Sequence, residues 1–278
     1  MLKEEIRDMI RSDFSNYNKT VKQVINDYGI GKTLAYQLQS EAEIMTKRTV
    51  VTSEQYSIKG DIVGVIGDSH LPFEREHYFD FCYETFRRKG VTRVVHIGDL
   101  VDNHAFSRHA TEMDADGGTL EFKKAYSKIK ELKKMFADYP FTWIKGNHDR
   151  IPVRQAASAN LPSVFLKSLG QLYDVPKWEI DLNTVIDGVY YTHGLGCMST
   201  LLTAQRIRRS AVFGHSHSKA EIMSHASFDD LVYGFHVGSG CDDKAIAFAY
   251  AKDTVLKSVI SCGTIEYGVS PSLHYMPL

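Results

Sequence analysis

Five short apolar segments limit the possible folds of this chain more than any other feature, because each of them ends beside a glycine and a polar residue. Each segment has the length and the β-branched residues expected of a buried strand. Stretches with helical periodicity lie between several of them, and this alternation is typical of sheets covered by helices. The five segments are DIVGVIG (61–67), VTRVVHIG (91–98), FTWIKG (141–146), VYYTHG (189–194) and AVFGHSH (211–217).

The remaining periodicity predicts an α/β unit whose C-terminal part is richer in strands. Helices are predicted near 74–89, 119–137, 158–169 and 199–208. From residue 231 onwards the predicted strands are LVYGFHVG, AIAFAYA (245–251) and VLKSVISCGTIEYG. A boundary is predicted near residue 50, which gives a helical arm over 1–50 and a larger domain over 51–278.

The polar residues that end the five segments are metal ligands by type. Asp, His and Asn without cysteine suit divalent ions such as Mn, Fe, Zn, Ni or Co. Ligand sites in α/β sheets form at the carboxyl ends of strands, so five such ends can converge on one place. The ligands are too many for one ion. Two neighbouring ions would clamp a phosphate and lower the pKa of a bridging water.

The motifs GDSH (67–70), GDLVD (98–102), GNHD (146–149), THG (192–194) and GHSH (214–217) resemble those of the calcineurin-like metallophosphoesterases. All five occur in the family's order, and the resemblance covers about residues 59–268. It implies a four-layer α/β/β/α sandwich, to which the helical arm is added.

The resemblance also implies a site with two divalent ions, Mn²⁺ foremost or else Fe, Zn, Ni or Co. A hydroxide that bridges the ions would attack phosphorus in line with the leaving oxygen. His148 would protonate that oxygen, and Asp102 would orient His148. The implied ligands are Asp68, His70 and His217 for the first ion, Asn147, His193 and His215 for the second, and Asp99 for both.

One position departs from the family's protein Ser/Thr phosphatases, which carry a phosphate-binding arginine after the second aspartate. Asn103 occupies that place, and this favours a phosphodiester of nucleic acid or of a nucleotide over a phosphoprotein. Two alternatives stay open. The chain could be a phosphomonoesterase acting on a small metabolite, or a DNA-binding or scaffold protein whose phosphoesterase domain is incidental.

Polar residues beside the motifs are candidates for substrate contact. The segment 103–118 is polar and long, as a loop that faces substrate can be, although a solvated loop would have the same composition. His96 and His236 are predicted to be structural. The candidate substrate contacts are Asn103, His104, Arg108, His109 and Arg150.

Residues 20–42 resemble a helix-turn-helix, in which a second helix beginning near Lys32 would expose side chains that can read base edges. Residues 1–50 hold eight Lys and Arg against seven Asp and Glu, which disfavours strong phosphate binding. A bundle that packs or forms a homodimer explains the pattern equally well. The candidate nucleic-acid contacts are Lys32, Thr33, Tyr36 and Gln37.

Composition excludes several classes of protein. The 33 Lys and Arg against 34 Asp and Glu exclude binding of nucleic acid by bulk charge alone. Four isolated cysteines exclude a zinc ribbon and fit a reducing compartment. No apolar run predicts a membrane helix, and the acidic start differs from a signal peptide. We therefore expect no membrane partner and a place in bacterial cytoplasm, or in that of the host if a phage encodes the chain.

Overall fold

A computed structural model describes residues 4–15, 19–47, 60–107, 115–194, 199–228, 230–243 and 257–277. The chain divides into two compact units, 1–58 and 59–278. The predicted boundary at residue 50 stays a prediction, because residues 48–59 lie outside the described ranges.

The first unit contains the helices α1 (Glu4–Ser15), α2 (Val21–Tyr28) and α3 (Lys32–Lys47). Thr20 and Gln23 form a capping box at the start of α2, and Gly29 ends it at φ 61°, in the left-handed region. The three helices enclose a core of their own. This core consists of Ile10, Phe14, Val24, Ile30, Ala35, Leu38 and Ala42.

The described part of the second unit contains strands that form two sheets. The first sheet has the order β11-β10-β1-β2-β3-β4, and the second has the order β5-β6-β7-β9-β8. Their bounds are β1 Ile62–Ile66, β2 Arg93–His96, β3 Phe141–Ile144, β4 Glu179–Asp181, β5 Asn183–Ile186, β6 Val189–Thr192, β7 Ala211–Phe213, β8 Glu221–Ala226, β9 Leu231–His236, β10 Ser261–Glu266 and β11 Ser270–Tyr275.

Helices cover the outer faces of both sheets, and an apolar layer fills the space between the sheets. Val65 and Val95 of the first sheet meet Val212 and Phe235 of the second in that layer. The other face of the first sheet packs on α4 (Tyr78–Lys89) and α5 (Gly118–Met135). α8 (Thr200–Ile207) lies against the outer face of the second sheet. The predicted α/β/β/α sandwich with an N-terminal helical domain is confirmed.

The predicted helix over 158–169 is wrong. α6 (Ile151–Ser158) ends there, and a 3₁₀ turn over Ser163–Phe165 and the one-turn helix α7 (Leu169–Leu172) follow. Asn160 takes φ 55°, and Pro162 has no N–H with which to continue a helix. The strands β4, β5, β8 and β11 were not predicted. The predicted strand 245–251 lies outside the described residues.

The helices of the described ranges include none with the length and apolar character needed to cross a membrane.

Candidate metal centre

The strand order brings the five motifs to one edge of the sandwich. β1, β2 and β3 are parallel neighbours, so the residues after them leave the first sheet at the same edge. β6 and β7 are parallel neighbours in the second sheet. The sequence predicted this convergence because each motif directly follows its strand.

Residues of the first and last motifs form one cluster. The Nε2 atoms of His70 and His217 lie 3.1 Å apart. Asp68 Oδ2 lies 3.3 Å from His217 Nε2 and accepts the backbone N–H of His215 at 2.8 Å. The structure therefore brings together the side chains predicted for the first ion.

The side chains predicted for the second ion form an adjacent cluster. His193 Nε2 lies 3.0 Å from Asn147 Oδ1 and 3.3 Å from His215 Nδ1. His193 Nδ1 lies 3.2 Å from the carbonyl oxygen of Ile97, which orients the ring.

Asp99 lies between the two clusters. Its Oδ2 is 3.1 Å from His193 Nε2 and 3.7 Å from His70 Nε2. Its Oδ1 accepts the backbone N–H of His148 at 2.7 Å. This is the position that a carboxylate shared by two ions requires.

Glycines in the motifs permit the close approach of these groups. Gly98 has φ 117°, and a Cβ there would lie 2.5 Å from Nδ1 of His193. A Cβ on Gly214 would overlap Oδ1 of Asp68. Any side chain at either position would therefore displace a predicted ligand.

The chemistry of the two clusters fits divalent cations. Asp68 is fully buried, and its Oδ1 has no hydrogen-bond partner among the described residues. A buried carboxylate oxygen is costly unless a cation or donor meets it. Imidazole nitrogens face one another across each cluster, as they do around a shared ion.

The carboxylates also govern the charge of the histidines. Burial opposes the charged form of His193, but Asp99 and Asp68 outweigh it and raise its pKa to about 9. Burial likewise opposes charge on His217, whose pKa is nevertheless raised to about 10 by Cys241 and Asp68. Both imidazoles therefore hold protons near neutral pH, and a divalent cation would have to displace these protons in order to bind.

We expect metal binding to depend on pH. Because the pKa values of His193 and His217 are raised to about 9 and 10, binding near pH 7 must release protons, and affinity must increase as the pH rises towards those values. Titration calorimetry in buffers of different ionisation enthalpy measures the protons released. A heat and an affinity that are independent of buffer and pH would contradict the prediction.

His148 and Asp102 lie beside the first cluster. His148 Nδ1 lies 3.0 Å from Asp102 Oδ1 and 2.8 Å from its carbonyl oxygen. His148 is 23% exposed, so its ring is anchored on one side and accessible on the other. Asp102 Oδ1 also lies 2.7 Å from His70 Nδ1, a second contact that the sequence did not predict.

Burial opposes the ionised form of Asp102, but its hydrogen bonds to His148 and His70 lower its pKa below the ordinary range. The carboxylate therefore stays ionised between the two imidazoles. In this position it orients His148 and directs Nε2 of His70 away from itself, towards His217.

Asp149 organises the loops of the site, a role that was not predicted from the sequence. Its carboxylate accepts the backbone N–H groups of Asp99 at 2.9 Å, Val101 at 3.1 Å and Gly146 at 2.8 Å. It also accepts Nε1–H of Trp143 at 3.1 Å. It thus joins the loops that follow β2 and β3. The only sequence signal was its place in GNHD.

Cys241 was also missed. Its side chain is buried, and its ligand atom and those of His70 and His217 all lie within 4.8 Å of one another. Burial opposes ionisation of the thiol, but His217 and His70 lower its pKa to about 7. The residue stands in a loop between strands and carries no motif, so nothing in the sequence pointed to it.

The described substrate candidates lie around His148. Asn103 Nδ2 donates to the carbonyl oxygen of His148 at 3.0 Å. His104 is buried, and its backbone N–H donates to Glu121 at 2.8 Å. Asn103 and Arg150 line a cleft of about 1160 Å³. Arg108 and His109 lie outside the described residues.

The two histidines predicted to be structural are both buried. His96 Nε2 lies 2.8 Å from Ser69 Oγ, and burial lowers the pKa of His96 to about 3, so the ring is neutral. Burial also lowers the pKa of His236 to about 4. The neutral ring of His96, bonded to Ser69, is consistent with a structural role. Neither ring nitrogen of His236 has a hydrogen-bond partner among the described residues, so the structural role predicted for it stays a prediction.

The candidate nucleic-acid contacts share one exposed stretch of α3. Lys32 Nζ lies 6.0 Å from the ring centroid of Tyr36, which is 51% exposed, and Gln37 donates to Glu41 at 2.9 Å. Thr33 is exposed beside them. Acidic groups neutralise other cations of this unit. Arg11 binds Glu41 at 2.7 Å, and Lys19 binds Asp13 at 3.2 Å.

More than half of the chain matches the model of a known protein family. The family described as calcineurin-like phosphoesterase matches residues 62–225. Solved structures with a similar fold include a single mutant of Vps29 from Entamoeba histolytica, with 13% identity, a TM-score of 0.39, and coverage of 78% of this chain and 99% of that one. Vps29 from Cryptosporidium parvum has 13% identity, a TM-score of 0.40 and the same coverage.

The phosphoesterase YfcE from E. coli is 14% identical, with a TM-score of 0.37 and coverage of 74% of this chain and 88% of that one. No curated protein matches the chain.

Proposed function

The chain belongs to the calcineurin-like phosphoesterase family, and from this premise we propose that it hydrolyses phosphodiesters with the help of two divalent ions. The observation that carries the proposal is the pair of adjacent clusters with Asp99 between them. A single structural ion would not need seven ligand-type side chains. When bound, two ions would neutralise the phosphate and activate a water molecule.

The protein side chains contribute orientation and a proton. Asp68, Asp99 and their neighbouring imidazoles would hold the ions. His148, anchored through Nδ1 to Asp102, can present Nε2 to the leaving oxygen and protonate it. Asp149 holds the loops that carry Asp99 and His148, so it acts as a positioning residue.

Two features favour a phosphodiester of a nucleotide or nucleic acid as the substrate. Asn103 stands where the family's protein Ser/Thr phosphatases carry a phosphate-binding arginine, which disfavours a phosphoprotein as the substrate. The cleft beside it is lined by Arg150 and by the aromatic side chains of Phe106, Phe122 and Trp178. Aromatic walls with a cation at their edge suit a base attached to a phosphate.

The helical arm would help to bind a nucleic-acid substrate if α3 contacts DNA. The residues proposed for this contact are Lys32, Thr33, Tyr36 and Gln37. Their exposure supports this proposal. The paired acidic residues around Arg11 and Lys19 favour instead a packing or dimerisation surface. Fluorescence anisotropy with labelled duplex at two salt concentrations, combined with light scattering, separates the two.

Hydrolysis of two chromogenic esters tests the proposed reaction. We expect metal-dependent cleavage of bis-p-nitrophenyl phosphate to exceed that of p-nitrophenyl phosphate. The reverse preference would replace the diesterase with a phosphomonoesterase. If the protein binds two ions but cleaves neither ester, nucleotides and DNA should be tested as substrates, and failure to cleave these as well would contradict the phosphoesterase reaction. A chain that binds no metal would contradict the proposal.

A further inference from the structure

We propose that Cys241 supplies a thiolate ligand to the ion held by Asp68, His70 and His217, an inference that rests on the metal centre proposed above. Cys241 follows β9 and is 1% exposed. Its sulfur, His70 and His217 each offer one ligand atom, and the three atoms lie within 4.8 Å of one another. Three atoms that bind one ion through bonds of about 2.0–2.3 Å also lie within this distance of one another.

The loop that carries Cys241 is fastened to the site by its backbone. Asp68 and Ser239 form a β-bridge, and the carbonyl oxygen of Asp68 accepts the N–H of Gly240 at 2.7 Å. On the other side, the backbone N–H of Asp242 donates to the carbonyl oxygen of Phe73 at 2.9 Å. Because both flanks of Cys241 are held, the position of its sulfur beside the two imidazoles is a property of the fold.

A second observation points to a cation at the same place. Asp68 is fully buried, and its Oδ1 has no hydrogen-bond partner in the described part of the chain. Its Oδ2 lies 3.3 Å from His217 Nε2. Oδ1 lies on the other side of the carboxylate, 3.9 Å from His193 Nδ1, so it is Oδ2 that faces His217. A fully buried carboxylate that presents one oxygen to an imidazole in a cluster with a second imidazole and a thiol suits a metal ion.

The other described cysteines are buried in apolar surroundings and serve as a comparison for Cys241. Cys82 and Cys262 lie in the apolar cluster under α4, among Tyr78 and Phe86. Cys241 differs because its thiol meets imidazoles and donates weakly to the carbonyl oxygen of Asp68 at 3.4 Å. On binding an ion the thiol would release its proton to solvent.

A thiolate changes which ion the first position prefers. Soft sulfur ligands favour Zn, Co or Fe, whereas an all-oxygen and nitrogen set accepts Mn more readily. We therefore expect the two ions to differ, with the softer one at Asp68, His70, Cys241 and His217.

Cobalt spectroscopy on the full-length chain tests the inference without substrate. The Co²⁺-loaded wild type should show a thiolate-to-cobalt charge-transfer band in the near ultraviolet. Cys241→Ser should lose that band and bind Zn²⁺ about 10–100-fold more weakly, while the matched variant Cys82→Ser should keep both. An equal band in Cys241→Ser would overturn the inference.

X-ray absorption at the zinc edge tests the same inference on the wild type alone, so the result does not depend on whether Cys241→Ser folds correctly. A zinc–sulfur shell at about 2.3 Å supports the ligand, and a shell of nitrogen and oxygen alone overturns it. Wild type that binds cobalt without a charge-transfer band would overturn only the role of Cys241. Wild type that binds no cobalt would overturn this role and the metal centre together.

Discussion

Asp99→Asn is expected to reduce metal-dependent diester hydrolysis by on the order of 10³-fold, because metal-ion charge stabilisation contributes about 4 kcal/mol to such a transition state. The buried carboxylate lies 3.1 Å from His193 and 3.7 Å from His70, so its charge serves both clusters. Asparagine keeps the shape and can still accept the N–H of His148, but it has no negative charge for two ions to share.

The measurement is the rate of hydrolysis together with metal content by mass spectrometry. Asp80→Asn, at an exposed position in the first turn of α4, is the matched control and should retain both. Circular dichroism should show that each variant is folded. Full activity in Asp99→Asn would contradict the proposed bridging role, even if that variant had lost stability.

His148→Ala is expected to lower hydrolysis by about 10²–10⁴-fold while metal content stays unchanged, because the role proposed for the ring is to donate a proton rather than to bind an ion. The loss should depend on the leaving group. A p-nitrophenolate departs without protonation, so its ester should lose less than a nucleotide diester whose leaving group is an alkoxide.

The control for this variant is His77→Ala, which removes a histidine that is 73% exposed and lies at the start of α4. It should retain wild-type rates with both esters. If His148→Ala lost activity equally for good and poor leaving groups, the general-acid role would be wrong, and a role in binding phosphate would replace it.

The motif residues could be predicted because each occupies the end of an apolar strand. The parallel pairing of β1 with β2 and of β2 with β3 makes neighbouring strand ends meet, so local sequence was sufficient to place Asp68, Asp99 and Asn147 together. The same holds for His193 after β6.

Other parts of the site depend on contacts between distant residues. Cys241 reaches the site through the bridge between Asp68 and Ser239, which joins loops 171 residues apart, and no local pattern encodes that. Asp102 contacts His70 as well as His148, and only the fold reveals the first contact. The helix predicted over 158–169 was wrong because the apolar periodicity of this segment was given more weight than Pro162, which cannot continue a helix.

The most direct test of the central claim is a crystal structure of the chain grown with Mn²⁺ or Zn²⁺, with anomalous scattering recorded at the metal edge. We expect two anomalous peaks about 3.5–4 Å apart. One peak should lie beside Asp68, His70 and His217, and the other beside Asn147 and His193, with Asp99 between them. No peak within these clusters, or one peak away from Asp99, would contradict the dinuclear centre and the phosphoesterase reaction that depends on it.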